Sequence, residues 1–266
     1  MKYSFMTFSC PEATLDEALA MAQRYGYDGI EPRIGSGHKH GIELTADASS
    51  RGAARSRAEA AGIALCCLAT SCKYADPSTA ADQVAETLRA IDLAADVGSP
   101  RIRVFGGPIP EGRSRADSVA LLVESLKRVA DRAAARGVTV CLETHDDWCD
   151  PAHVAEVVGA VGSAAVAVNW DVMHPVRAGG STMDEAFATL RPWIRHLHVH
   201  DGSRGLTALK MVPIGTGDFD HRRVVDLLAG IGYDGYLSGE WIRWEPAEVH
   251  LPRELATLKR YESEVR

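Results

Sequence analysis

The chain has 266 residues, 46% of them hydrophobic and 24% charged, with a formal net charge of −7. This composition excludes a disordered chain, and the acidic balance argues against a protein built to grip nucleic acid, because phosphate contacts need clustered Lys and Arg. No stretch approaches the roughly 18 apolar residues of a membrane span, the first residues lack the apolar core of a secretion signal, and the six cysteines form no C-x-x-C pair. The expected setting is cytoplasmic, without membrane contact. Cys66 and Cys67, adjacent in an apolar run, read as reduced core thiols.

Taken in chain order, the predicted elements alternate. A strand over 3–9 is followed by a helix that opens on the capping box Thr14-Leu15-Asp16-Glu17 and runs to Tyr25. Then come strand 28–32, helix 47–61, strand 63–69, helix 79–97, strand 101–105 and helix 115–136. The second half continues with strand 138–143, helix 151–160, strand 166–171, helix 183–190, strand 195–200, helix 220–231, strand 235–240 and helix 248–263. Gly26, Gly62, Gly98 and Gly137 each close a helical run before a β-rich one, as expected of a helix C-terminus that needs positive φ. The long irregular pieces are 33–46, where His38 and His40 read as solvent-facing members of a lid, and 201–219.

Such alternation implies parallel strands with right-handed crossovers. At this length the economical solution is an α/β fold of one domain over residues 1–266, a closed (β/α)8 TIM barrel. The rival is an open doubly wound sheet, but the Gly-x-Gly-x-x-Gly and Walker loops that would favour it are missing.

A barrel carries its active site at the C-terminal ends of its strands. Here the predicted strands end in Glu31, Glu143-Thr144-His145, Asp171-Val172-Met173-His174, His196-Leu197-His198-Val199-His200-Asp201 and Ser238-Gly239-Glu240. Side chains alternate across a strand, so with Val140, Leu142, Leu197, Val199 and Leu237 facing the helices, Glu143, Asp171, His198 and Glu240 face inward at one end. Three buried carboxylates would repel one another unless a cation joins them. Three carboxylates and one imidazole suit one divalent cation, with Mn²⁺ first and Mg²⁺, Co²⁺ or Zn²⁺ compatible. His196 reads as a hydrogen-bonded barrel residue, and Asp201 as a residue that orients a histidine or caps the following loop.

These residues resemble the xylose-isomerase-like sugar isomerase/epimerase superfamily, which includes ketose 3-epimerases, hydroxypyruvate isomerase and inosose dehydratase. The resemblance covers the whole chain and rests on Gly29-Ile30-Glu31, Leu142-Glu143-Thr144-His145, Asn169-Trp170-Asp171 with His174, His196 to Asp201, Gly215-Thr216-Gly217-Asp218-Phe219-Asp220, and Gly235 to Glu240. It implies metal ligands at Glu143, Asp171, His198 and Glu240, with Glu143 and Glu240 flanking the substrate as the proton-exchanging pair. It places His174 and Arg204 on substrate oxygens. His145 stands where many members carry Asn, and Cys149 where ketose 3-epimerases carry a further Glu. His145 and His200 complete the candidate substrate-binding set.

The expected activity is isomerisation or epimerisation of a small sugar or polyhydroxy carbonyl compound through a cis-enediolate. The alternative is a lyase that eliminates a β-hydroxyl from a keto-sugar or inosose at the same site, with His145 or His200 as acid. Phosphodiester hydrolysis and a non-catalytic sugar-binding role are lesser alternatives. Phe8, Cys10, Lys73, Phe105, Trp148, Trp241 and Trp244 are candidates for specificity. The expected partner is a carbohydrate substrate, with a homodimer or homotetramer implied by the resemblance.

Overall fold

Apolar runs too short for helices form strands buried on both faces, and glycine-ended helices return the chain to the sheet between them. The computed structural model describes residues 1–203 and 209–265. In chain order it contains β1 (Lys2–Met6), α1 (Leu15–Tyr25), β2 (Gly29–Glu31), α2 (Ala48–Ala61), β3 (Ala64–Leu65), β4 (Leu68–Lys73), α3 (Ala80–Val97) and β5 (Arg101–Phe105). There follow α4 (Arg115–Arg136), β6 (Thr139–Glu143), α5 (Pro151–Val161), β7 (Val166–Asp171), α6 (Met173–Arg177), α7 (Met183–Leu190) and β8 (Ile194–Val199). The chain continues with β9 (Asp201–Gly202), β10 (Met211–Val212), α8 (His221–Gly230), β11 (Tyr236–Gly239) and α9 (Ala247–Ser263).

Nine parallel strands bond in the order β3-β2-β1-β11-β8-β7-β6-β5-β4. β3 and β4 are two pieces of one stave, interrupted at the buried pair Cys66-Cys67. A parallel bridge between Arg33 and Ala69 joins the stave to the continuation of β2, so the sheet closes into a (β/α)8 TIM barrel. The capping box at Thr14 is present, and Gly26, Gly62, Gly98 and Gly137 close α1 to α4 in the left-handed conformation. No described helix is long and apolar enough to cross a membrane. All six cysteines are free thiols.

Four features depart from the sequence reading. The third strand is broken, because a run buried on both faces shows no alternation from which to read a bend. A short α6 follows Asp171, and a two-stranded hairpin pairs β9 with β10 in the stretch read as irregular. The 33–46 segment is not a solvated lid at His40, which is buried. Its Nε2 lies 3.1 Å from the Arg33 carbonyl, and its Nδ1 accepts from the Ile42 N–H. His38, half-buried, bonds Thr7 Oγ1 at 2.9 Å.

Close packing reaches the strand ends that carry the site. A Cβ on Gly239, the residue before Glu240, would lie 2.0 Å from the Trp241 ring. Overpacking of this kind costs about 1–3 kcal/mol. Gly239→Ala is therefore expected to lower Tm by about 3–10 °C in a thermal melt; an unchanged Tm would show that Trp241 gives way freely.

Candidate active site

β6, β7, β8 and the end of β11 bring Glu143, Asp171, His198 and Glu240 together, all four buried. Their ligand atoms lie within 4.8 Å of one another. Two donors on opposite sides of an ion at about 2.1 Å would stand about 4.2 Å apart, so one divalent cation fits among them. His198 Nδ1 is 3.0 Å from Glu143 Oε1 and 3.5 Å from Glu240 Oε2. Asp171 is oriented by its own turn: its Oδ1 accepts the Met173 N–H at 2.9 Å and the His174 N–H at 3.3 Å, which leaves Oδ2 facing the cluster.

The candidate substrate-binding histidines line one side of this quartet. His200 Nε2 is 2.8 Å from Asp171 Oδ2, and His174 Nε2 is 3.9 Å from the same oxygen. The His145 ring lies 4.5 Å from that of His174 and 4.8 Å from that of Phe105. Arg204 lies outside the described residues. Among the specificity candidates, Trp148 and Trp241 are buried packing residues, with Trp148 Nε1 donating to the Gly107 carbonyl. Phe8 packs against His38, Trp244 against His250, and Lys73 is exposed. Cys149 is buried, and its thiol lies 3.0 Å from the Asp146 carbonyl.

Three residues of the site had no role in the sequence reading. Glu31, fully buried at the end of β2, takes His196 Nε2 at 2.7 Å and His198 Nε2 at 3.1 Å. Asn169 sets its side-chain amide 3.1 Å from His198 Nδ1. Arg103, from the middle of β5, sets Nε 3.0 Å from Glu143 Oε2. The signal for Glu31 was its strand-end position. Nothing in the sequence separated Arg103 from a surface arginine, because its partners come from other strands.

Electrostatics follow from these contacts. Burial alone would push His198 toward neutrality, but Glu31, Glu143 and Glu240 outweigh it and hold its pKa well above the usual value. Burial raises Glu240, yet His198 and Arg103 bring it down to about 2. Glu31 and Asp171 are likewise held below the usual carboxylate range against burial, the first by His196 and His198 and the second by His200 and His174. Burial opposes the charge on His145 too, but its bond to Asp146 and the field of Glu143 raise it to about 9. The contacts of Asp171 and Glu240 thus favour their charged forms, the state in which a carboxylate can bind a metal ion.

Known proteins share this framework. A profile of xylose isomerase-like TIM barrels matches residues 19–261. The chain belongs to that family. Among curated relatives, a 2-oxo-tetronate isomerase of Cupriavidus necator is 27% identical over 162 residues, covering 58% of this chain and 59% of that protein. This chain thus matches about three-fifths of that relative's length. A 2-epi-5-epi-valiolone 7-phosphate 2-epimerase of Actinoplanes is 28% identical over 222 residues, covering 80% of this chain and 77% of that protein. Among solved structures, an IolI protein with a binding zinc atom superposes with a TM-score of 0.81 at 19% identity, covering 98% of this chain and 96% of that one.

A carboxylate behind a metal-binding imidazole fixes its ring orientation, and its loss typically costs about 10–100-fold in metal affinity. Glu31→Leu is expected to weaken Mn²⁺ uptake by that factor in titration calorimetry. An affinity equal to wild type would remove Glu31 from the site.

Proposed function

We propose that this protein is a divalent-metal-dependent isomerase or epimerase of a small sugar or polyhydroxy carbonyl compound. The observation that carries the reading is the pair Glu143 and Glu240. Each turns one oxygen toward His198 Nδ1 within a cluster that also holds Asp171. Isomerase and epimerase relatives in the same family support the reaction class.

Glu143, Asp171, His198 and Glu240 would hold the cation, which would supply Lewis-acid polarisation of a substrate carbonyl. Mn²⁺ suits this oxygen-rich set best, with Mg²⁺, Co²⁺ and Zn²⁺ as substitutes. The zinc of the IolI structure is in keeping with a divalent ion on this fold. Glu143 and Glu240 are the acid/base pair: one carboxylate removes the proton α to the carbonyl and the other returns a proton. His174, His200 and His145 form a row from Asp171 outward and would bond the substrate's oxygens. Arg204 is the further proposed contact. Burial of the cluster keeps bulk water from competing for these polar groups.

Deuterium incorporation from D₂O, measured by NMR across a panel of ketoses, inososes and 3-keto sugars with Mn²⁺ present, tests the reaction. Exchange at a carbon next to the carbonyl, with an isomer as product, is the expected result. An unsaturated product would transfer the site to elimination, and no exchange with any member would remove the carbonyl chemistry. Glu143→Gln and Glu240→Gln should each lower turnover by about 100- to 10,000-fold, and wild-type turnover by either would sink the assignment. Treatment with a chelator should abolish activity and Mn²⁺ should restore it; full activity in the stripped protein would refute metal dependence.

A further inference from the structure

Arg103 is the cation buried deepest beside the candidate site, with 1% of its surface exposed. Its backbone and side chain are locked to β4 by a reciprocal pair. Arg103 Nη1 donates to the Thr70 carbonyl at 2.8 Å, and Thr70 Oγ1 donates to the Arg103 carbonyl at 2.8 Å. The guanidinium sits 3.9 Å from the centroid of the Phe105 ring, which covers it. So held, it faces both carboxylates as ion pairs without hydrogen-bond alignment, Nε 3.0 Å from Glu143 Oε2 and Nη2 3.9 Å from Glu240 Oε1. The other oxygens, Glu143 Oε1 and Glu240 Oε2, are those nearest His198 Nδ1. Both carboxylates are thus divided in the same way, with one oxygen toward the ligand cluster and the other toward one guanidinium.

We propose that Arg103 is the positioning residue of the proton-transfer pair: it holds the outer oxygens of Glu143 and Glu240 so that each carboxylate gives the cation a single oxygen. This rests on the proposed function above and extends it to a residue that touches neither substrate nor ion. A guanidinium suits the task because its fixed charge faces two carboxylates at once while one nitrogen, Nη1, is tied to the Thr70 carbonyl. Without it, each carboxylate could rotate its second oxygen onto the ion. The base would then lose the free oxygen and the aim that proton transfer requires, and a misplacement of about 1 Å already costs about 100-fold in rate.

The test separates positioning from scaffolding. Arg103→Met removes the fork, and Arg103→Lys keeps the charge without it. In both, Mn²⁺ affinity by titration calorimetry should stay at or above the wild-type value, because a positive neighbour of the ion has been removed or merely displaced. kcat should fall about 100-fold in Arg103→Met with KM changed less than about threefold, the pattern of an interaction lost only in the transition state. Arg103→Lys should recover no more than about tenfold of that loss. The visible spectrum of the Co²⁺-loaded Met variant should change as Glu143 gains a second bond to the ion.

Wild-type kcat in either variant would overturn the proposal. So would a parallel loss of Mn²⁺ affinity and kcat, which would mark a merely structural arginine. Where Arg103→Met does not fold, Arg103→Lys carries the test by the same criteria. Wild-type protein that binds no divalent cation and exchanges no α-proton would instead overturn the underlying reading, before any variant is compared.

Discussion

Four carboxylates converge at one end of the barrel, and the local structure is organised around their charge. Glu31, Glu143 and Asp171 are fully buried, and Glu240 is 7% exposed. Unpaired, each would cost several kcal/mol to bury. Histidine, backbone N–H or arginine meets each of them: His196 and His198 for Glu31, the α6 turn and His200 for Asp171, Arg103 and His198 for Glu143 and Glu240. Two buried guanidiniums, Arg33 and Arg103, stand among the four acids, and their mutual proximity helps burial bring Arg33 down to about 10. Three of these carboxylates hold His198 well above its usual pKa, and Asp171 raises His200, so imidazole charge adds to that of the two arginines.

The same logic explains the Gly215 to Asp220 motif, whose backbone N–H groups gather on one carboxylate. Asp201 accepts N–H groups from Gly202, Gly215 and Gly217 at 2.8, 2.8 and 3.1 Å, and from Phe219 at 3.4 Å. A Cβ on Gly217 would lie 2.2 Å from Asp201 Oδ1, so the chain can wrap the carboxylate only with glycine there. Glu254 on α9 adds the Ile214 N–H at 2.7 Å. The Gly215 to Asp220 stretch is thus a backbone cage for one carboxylate. Because Asp201 comes directly after His200, the cage also fixes the strand end that meets Asp171.

The barrel was legible because its signals are local. Glycine stops, a capping box and alternation within five- or six-residue strands each depend on neighbours in sequence. Alternation placed Glu143, Asp171, His198 and Glu240 on one side, and the structure brings those four together. The residues that escaped depend on distant pairing. Glu31 and His196 are 165 positions apart, and a carboxylate at the end of a three-residue strand looks the same whether solvated or buried. Arg103 reads as a strand residue with a long flexible stem, and only the geometry of β4, β6 and β11 around it turns it inward. His40 was misread for a related reason: a glycine-rich loop looks solvated until the Arg33 carbonyl is seen to need a partner.

The arrangement also bears on which reaction the site favours. Isomerisation and elimination share their first step, removal of a proton next to a carbonyl, and differ in the second. Elimination needs one acid placed on a leaving group. Epimerisation needs two carboxylates of comparable setting, so that either can remove a proton and the other return it. On the function proposed above, Glu143 and Glu240 would answer that second requirement through their shared contacts. Both face His198 Nδ1 with one oxygen and Arg103 with the other, and both are buried. In elimination the second proton goes to a hydroxyl rather than to carbon, so the second carboxylate would serve there in binding alone. The imidazole row on the Asp171 side can bond oxygens of the substrate in either case, so it does not discriminate. On the function proposed above, what would distinguish the two outcomes is therefore the paired carboxylates Glu143 and Glu240 and the arginine they share.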